Sequence, residues 1–325
     1  MTVSSYQAPA WLPGGHAQTI YAYYLPRTPV AFRRERMPTP DGDFIDFDWL
    51  DGEPTRPIFV LFHGLEGSSR SHYALACAHE AKARGWTLVV PHFRGCSGEP
   101  NWSVRAYHSG DVESIEFMLK MVEIIAKKRP ICAAGISLGG NALSKFCGTT
   151  LLEKPATQFG LVCAASVCAP LDLGMSGERI ARGLNMVYTN NFLRTMKRNA
   201  KVKAAQFPGA FNIERALKAK TLAEFDDIYT APIHGYKSGA DYYHRASCRQ
   251  NLIDIPIPFL LINAANDPFV PSYLAPKPHE VSPSVTLDLP ETGGHVGFVS
   301  GAFPGNLNWL PHRLMNFFEE HTREQ

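Results

Sequence analysis

The 325-residue chain has little that would let it cross a membrane, cross-link itself or hold nucleic acid. No apolar run approaches the ~18 residues that a bilayer-spanning helix needs. The start, Met1-Thr-Val-Ser-Ser-Tyr-Gln-Ala-Pro9, has no basic stretch followed by an apolar core, so it does not read as a signal peptide. Both absences predict a cytoplasmic protein. A formal net charge of +2 leaves no global field to capture nucleic acid. The seven cysteines are odd in number and none sits in a C-x-x-C pair. Several lie in apolar runs, as Cys163 and Cys168 do in Leu161-Val-Cys-Ala-Ala-Ser-Val-Cys-Ala-Pro170. That placement predicts buried free thiols in a reducing compartment, with no disulfide framework and no zinc site. Internal repeats and low-complexity segments are absent as well.

What the chain does have is apolar content, at 45%, enough for a large buried core. Short apolar runs alternate with longer amphipathic ones, the pattern of a mostly parallel sheet covered by helices. Strands are expected over 57–62, 86–91, 131–136, 160–168, 258–263 and 285–289. Most are apolar on both faces, as buried parallel strands are. Two earlier segments, 31–37 and 44–50, alternate more and predict an antiparallel edge hairpin turning at Asp41-Gly42. From 171 to 255 the rhythm breaks. Helices are expected near 178–188, 191–205 and 213–220, with no convincing strand, so this stretch reads as a helical cap inserted into one α/β domain. Between Glu178 and Lys220 it holds ten Lys/Arg against two Glu. That excess fits solvated helix faces, or a surface for peripheral contact with anionic lipid or acyl-phosphate substrates.

The most informative segment is 131–141, Ile-Cys-Ala-Ala-Gly-Ile-Ser-Leu-Gly-Gly-Asn. An apolar strand stops, turns sharply at Ser137 and restarts as a helix. Gly135 and Gly139 carry no Cβ, so the strand and helix backbones can approach, and Ser137 itself is held in a strained conformation that exposes its hydroxyl. G-x-S-x-G after a strand is the nucleophile-elbow pattern of serine hydrolases. A serine hydroxyl needs a base, a carboxylate to orient that base, and donors for an oxyanion. In elbow-type hydrolases the partners follow in the order Ser, acid, His. Asp267, in Asn266-Asp-Pro-Phe-Val-Pro271, lies just past a buried strand, where ligands gather in parallel sheets. His295, in Thr292-Gly-Gly-His-Val-Gly297, follows the last strand in a glycine-rich loop. The competing histidines His16, His63, His72 and His108 suit other roles. His63 ends a strand next to glycine and fits the oxyanion loop. His108 precedes a helix start and fits a structural or pocket role. The oxyanion donors are expected to be the Leu138 N–H, at a helix N-terminus, and the Leu65 N–H, in the loop His63-Gly64-Leu65-Glu66-Gly67.

Together these residues resemble the α/β-hydrolase fold superfamily. A finer likeness is to its YheT-like family, related to the eukaryotic abhydrolase-domain lipases. It is carried by Trp11-Leu-Pro-Gly-Gly-His-Ala-Gln-Thr19, His63-Gly-Leu-Glu-Gly67, Phe93-Arg-Gly-Cys-Ser-Gly98, Tyr107-His-Ser-Gly110, Gly135-Ile-Ser-Leu-Gly-Gly-Asn141, Phe225-Asp-Asp227 with Thr230-Ala-Pro232, and Asp241-Tyr-Tyr243. It runs from residue 11 to about 300. The resemblance implies an eight-stranded, mostly parallel twisted sheet flanked by helices. It also implies a serine hydrolase of carboxylic esters, with Ser137, Asp267 and His295 matching the family's triad. Relatives often carry a second Asp where this chain has Asn266, which leaves Asp267 as the acid. Eukaryotic relatives have an N-terminal membrane anchor and act on lipids; no such anchor is seen here, so residence in a membrane is not expected.

The expected chemistry is two-step hydrolysis of a small-molecule or lipid ester through an acyl-enzyme, with no metal or organic cofactor. The expected substrate contacts are His63, Gly64, His108, Met175, Met186 and Phe192, with Met196 beside them. Two rivals share the sequence: acyl transfer by the same serine to an alcohol or thiol, and a non-catalytic binding protein on the same fold. A dehalogenase would need Asp at position 137.

Overall fold

The computed structural model describes residues 6–323. Eight strands form one sheet in the order β1-β2-β4-β3-β5-β6-β7-β8. They are β1 (Arg33–Pro38), β2 (Phe44–Leu50), β3 (Ile58–Phe62), β4 (Thr87–Pro91), β5 (Ile131–Ile136), β6 (Leu161–Val167), β7 (Phe259–Ile262) and β8 (Val285–Asp288). β3 to β8 run parallel, because each connection returns over a face of the sheet. β1 and β2 form the expected antiparallel edge pair, and β2 is also antiparallel to β4.

β3 shows why the central strands lack polar alternation. Ile58, Val60 and Phe62 pack on one face and Phe59 and Leu61 on the other, all buried. The first face is covered by α3 (Val112–Ala126) and α4 (Leu138–Glu153), the second by α2 (His72–Ala83) and α11 (Trp309–Thr322). Sequence spacing places the buried stripe of α3 at Ile115, Met118, Leu119 and Val122, and its start is fixed by the Asp111 side chain accepting the Ser114 N–H. β2 alternates as predicted, yet both faces are buried. Asp46 and Asp48, on the polar face, are closed in by bidentate pairs with Arg36 and Arg34. A further helix, α1 (Gly15–Tyr24), precedes the sheet.

Between β6 and β7 the described residues form helices and turns and no strand: α5 (Leu173–Ile180), α6 (Met186–Gln206), α7 (Ile213–Lys218), α8 (Leu222–Phe225), a five-residue π-turn (Asp226–Thr230), α9 (Ala231–Ile233) and α10 (Gly239–Ala246). Two expected helix limits move. The break predicted after 188 is absent, and α6 runs unbroken through Asn190 and Asn191. The chain turns earlier, at Gly183 with φ +60°, and the Thr189 hydroxyl ties α6 back to the Ile180 carbonyl at 2.8 Å. Among the described residues no helix is long and apolar enough to cross a membrane. All seven cysteines are free thiols, six of them buried.

Candidate active site

Three loops at the carboxyl ends of β5, β7 and β8 bring Ser137, Asp267 and His295 together. The Ser137 hydroxyl lies 3.0 Å from His295 Nε2, and His295 Nδ1 lies 2.8 Å from Asp267 Oδ2. With Nδ1–H donating to the carboxylate, Nε2 is free to accept the serine proton. Asp267 is fully buried, and its other oxygen accepts the N–H groups of Phe269 and Val270 at 2.7 and 3.1 Å. One carboxylate oxygen is thus held by the backbone while the other faces the imidazole. Phe269 packs on the His295 ring with centroids 4.2 Å apart.

The turn at Ser137 has φ 52°, a region that residues with a Cβ rarely occupy. Its neighbours explain how it survives. A Cβ on Gly135 would lie 2.3 Å from the Gly139 carbonyl oxygen, and one on Gly139 would lie 2.5 Å from that of His63. Both positions accept only glycine, and that is what presses the strand, the helix and the β3 loop together.

Leu65 and Leu138 line the cavity beside Ser137, and among the described residues neither N–H has a protein acceptor. A Cβ on Gly64 would sit 3.3 Å from that of Ser137, so the β3 loop reaches the serine directly. His63 is placed differently from expectation. It is wholly buried, with Nδ1–H donating to the Gly64 carbonyl at 2.8 Å and Nε2 accepting the Phe93 N–H at 3.1 Å. Burial pulls its pKa down to about 3, so it is a neutral strut of the loop and does not reach the cavity.

The cavity has a volume of about 640 Å³. Its apolar wall includes Ile180, Phe192, Met196 and Phe225 from the helical segment, together with Leu138 and Val270. His108 lines it too, packed against His234 at 4.5 Å, and burial lowers its pKa to about 4. Met175 and Met186 do not line it. Met175 is 48% exposed, and Met186 faces a separate groove with Leu193 and Lys197. Which way a methionine on a helix points depends on how that helix is rotated against its neighbours, and spacing alone leaves this open. The ten cations of the segment are mostly exposed, but Lys203 is buried and donates to the Asn101 and Ser103 carbonyls.

Of the acids that line the cavity, Glu66 and Asp226 are the buried ones that sequence patterns assign no role. Glu66, at φ 54°, accepts from Asn199 Nδ2 of α6 at 3.0 Å and from the Tyr107 hydroxyl at 2.8 Å. Burial raises its pKa. Asp226, in the π-turn, accepts from Tyr243 at 2.9 Å and from Thr230 at 2.5 Å, and burial raises its pKa to about 6. Their motifs, His-Gly-Leu-Glu-Gly and Phe-Asp-Asp, are visible in the chain, but their partners are distant in sequence.

Cys168 Sγ, an Asp267 oxygen and a His295 nitrogen lie within 4.8 Å of one another. Burial and the neighbouring Asp267 push the Cys168 thiol well above its ordinary range, which keeps it a neutral thiol. His295 Nδ1 and Asp267 Oδ2 are already bonded to each other.

Residues 57–302 match the family described as alpha/beta hydrolase fold. The chain is 39% identical over 312 residues to the YheT protein of Escherichia coli (strain K12), named as a candidate esterase, covering 92% of this chain and 88% of that one. It is 30% identical to Phospholipase ABHD3 of Mus musculus, covering 100% and 81%. Among solved structures, the esterase Pf2001 of Pyrococcus furiosus shares the fold, with TM-score 0.56, 15% identity and coverage of 91% and 98%. The chain belongs to the α/β-hydrolase fold family, in its YheT-like branch.

Proposed function

We propose that this protein hydrolyses carboxylic esters through Ser137. The observation that carries the reading is the unbroken series Ser137–His295–Asp267, at 3.0 and 2.8 Å, opening into a cavity lined on one side by apolar groups. In the first step His295 Nε2 takes the Ser137 proton as Oγ attacks the ester carbonyl carbon. The tetrahedral oxyanion lies against the free N–H groups of Leu65 and Leu138, the latter at the N-terminus of α4, where the helix dipole favours negative charge. Asp267 keeps the imidazole in the reactive tautomer and stabilises the imidazolium. His295 then protonates the leaving alkoxide and the C–O bond breaks, leaving an acyl-Ser137. Water attacks that ester, giving its proton to His295, and the acid leaves as Ser137 regains its proton. Side chains of the triad move the protons, backbone N–H groups of Leu65 and Leu138 hold the oxyanion, and water is the acyl acceptor.

The helical segment 171–255 acts as the cap of this reaction centre. Phe192 and Met196 supply apolar surface for an acyl chain, while Glu66, Asn199 and Asp226 supply polar contacts for the other end. The substrate is therefore an amphiphilic ester, a lipid or a lipid-like small molecule. The exposed cations of the cap supply peripheral contact with anionic lipid. The relatives' names, esterase and phospholipase, support the class. A fluorophosphonate probe is expected to label Ser137, and Ser137→Ala is expected to lower the hydrolysis of p-nitrophenyl esters by about 10⁴-fold or more without a change in melting temperature. Undiminished hydrolysis by Ser137→Ala overturns the proposal.

A further inference from the structure

The buried side of α1 is polar where a helix of this kind would normally bury apolar groups. Gly15, Gln18, Thr19 and Ala22 share one face by their i, i+3, i+4, i+7 spacing. Gln18 is 1% exposed. Its Nε2 donates to the Leu12 carbonyl at 2.9 Å, which fixes the amide so that Oε1 faces the loops of the reaction centre. Oε1 accepts the Gly293 N–H at 2.8 Å and the Asn266 Nδ2–H at 3.1 Å. Asn266 precedes Asp267, and its Oδ1 accepts the Gly294 N–H at 3.0 Å. Thr19 donates to the Gly15 carbonyl at 2.7 Å and accepts the His295 backbone N–H at 2.8 Å.

The approach between α1 and these loops is as tight as that at the serine turn. A Cβ on Gly15 would lie 1.9 Å from the Asn266 carbonyl oxygen, and one on Gly294, at φ +63°, would lie 2.7 Å from Thr19 Oγ1. One residue of α1 also reaches the helical segment. His16 Nδ1 lies 3.0 Å from the Tyr188 hydroxyl, and Tyr188 packs on Phe269, which packs on His295.

We infer that α1 is a positioning element of the reaction centre, in which Gln18 and Asn266 clasp the Asp267 and His295 loops together and Thr19 sets the His295 backbone. The inference rests on the reading of Ser137, His295 and Asp267 as the reacting set. The physical reason is precision. The histidine loop contains Gly293, Gly294 and Gly297, whose backbone freedom is large in isolation. Beside the Asp267 bond and the Phe269 packing, hydrogen bonds from α1 fix the backbone that carries the imidazole, so that Nε2 stays within reach of Oγ. None of these groups touches the cavity, so they act through His295 and not on the substrate.

The test uses the full chain with Thr19→Val, which keeps shape and removes the acceptor, and Thr19→Ser, which keeps the acceptor. Thr19→Val is expected to lower kcat for a p-nitrophenyl ester about 10-fold with KM changed less than about 2-fold, and Thr19→Ser to restore kcat. A second readout is independent of activity: the downfield proton resonance of the Asp267–His295 hydrogen bond, identified by its absence in His295→Gln. It is expected to shift or broaden in Thr19→Val and to return in Thr19→Ser. Wild-type kcat in Thr19→Val, or a Thr19→Ser variant as impaired as Thr19→Val, overturns the inference, as does an unmoved resonance. Failure of the ester-hydrolase reading shows elsewhere, as full hydrolysis by Ser137→Ala, and the resonance then decides on the clasp alone.

Discussion

The two sides of the cavity are built in opposite ways. On the sheet side, backbones touch: Gly135, Gly139, Gly15 and Gly294 each sit where a Cβ would lie within 2.7 Å of another atom. Geometry there is set by close packing of backbone against backbone. On the helical side, the wall is made of long side chains such as Phe192, Met196 and Arg198, and at a turn such as Gly183 an added Cβ would meet nothing within 4 Å. A reaction that must hold one proton path is served by the first construction. A pocket that must fit a substrate and can be retuned without disturbing the chemistry is served by the second.

The sharpest way to break this contrast is a pair of glycine substitutions. Gly135→Ala is expected to cost about 3 kcal/mol or more, because the clash is with backbone that cannot move aside. Gly183→Ala, in open space at positive φ, is expected to cost only ~1 kcal/mol. Urea unfolding of both variants decides it, and equal costs would erase the distinction between the two sides. Next in size is a change of selectivity. Phe192→Ala is expected to alter the ratio of kcat/KM between long-chain and short-chain p-nitrophenyl esters by about 10–100-fold, through lost apolar contact, while fluorophosphonate labelling of Ser137 stays near normal. A matching loss of labelling would place Phe192 with the reaction geometry instead of the pocket.

The smallest expected effect separates the two sides by pH. On the sheet side, burial holds His63 neutral down to about 3. The unfolded chain protonates that imidazole near 6.5, so its contribution to stability is present above that value and is lost as pH falls toward 3. On the helical side, Asp226 keeps its proton up to about 6. The unfolded chain loses that proton near 4, so the contribution is present below 4 and is lost as pH rises through 6. Asp226→Asn, which mimics the protonated acid, is therefore expected to be more stable than the parent by ~1 kcal/mol at pH 8 and equal to it at pH 4. Urea midpoints across that range check the sign; a gain that persists at pH 4 would assign it to packing and not to charge.

The parallel strands are legible in the sequence because a strand buried on both faces must be apolar throughout, and Pro57-Ile-Phe-Val-Leu-Phe62 leaves no other place for itself. The expected break inside α6 does not occur. Asn190 and Asn191 are poor helix formers, but the helix is held by Leu193 and Ala200, buried among Ala216, Phe225 and Tyr229. His63 reads as a cavity group because its Gly64 neighbour belongs to the right loop; the direction of the ring is decided by the Phe93 N–H, thirty residues away.

From the chain alone, steric rules acting over a few residues already pointed to the turn at Ser137, and the Ser, acid, His order of elbow-type hydrolases pointed to Asp267 and His295 behind it. Gly-x-Ser-x-Gly admits one tight strand-to-helix turn, and the ends of parallel strands all face one way. The roles of Gln18, Thr19, Asn266, Glu66 and Asp226 came into view only with the folded chain. Each depends on a hydrogen bond or a burial created when distant segments pack, and no local spacing encodes which distant donor a buried amide or carboxyl will meet.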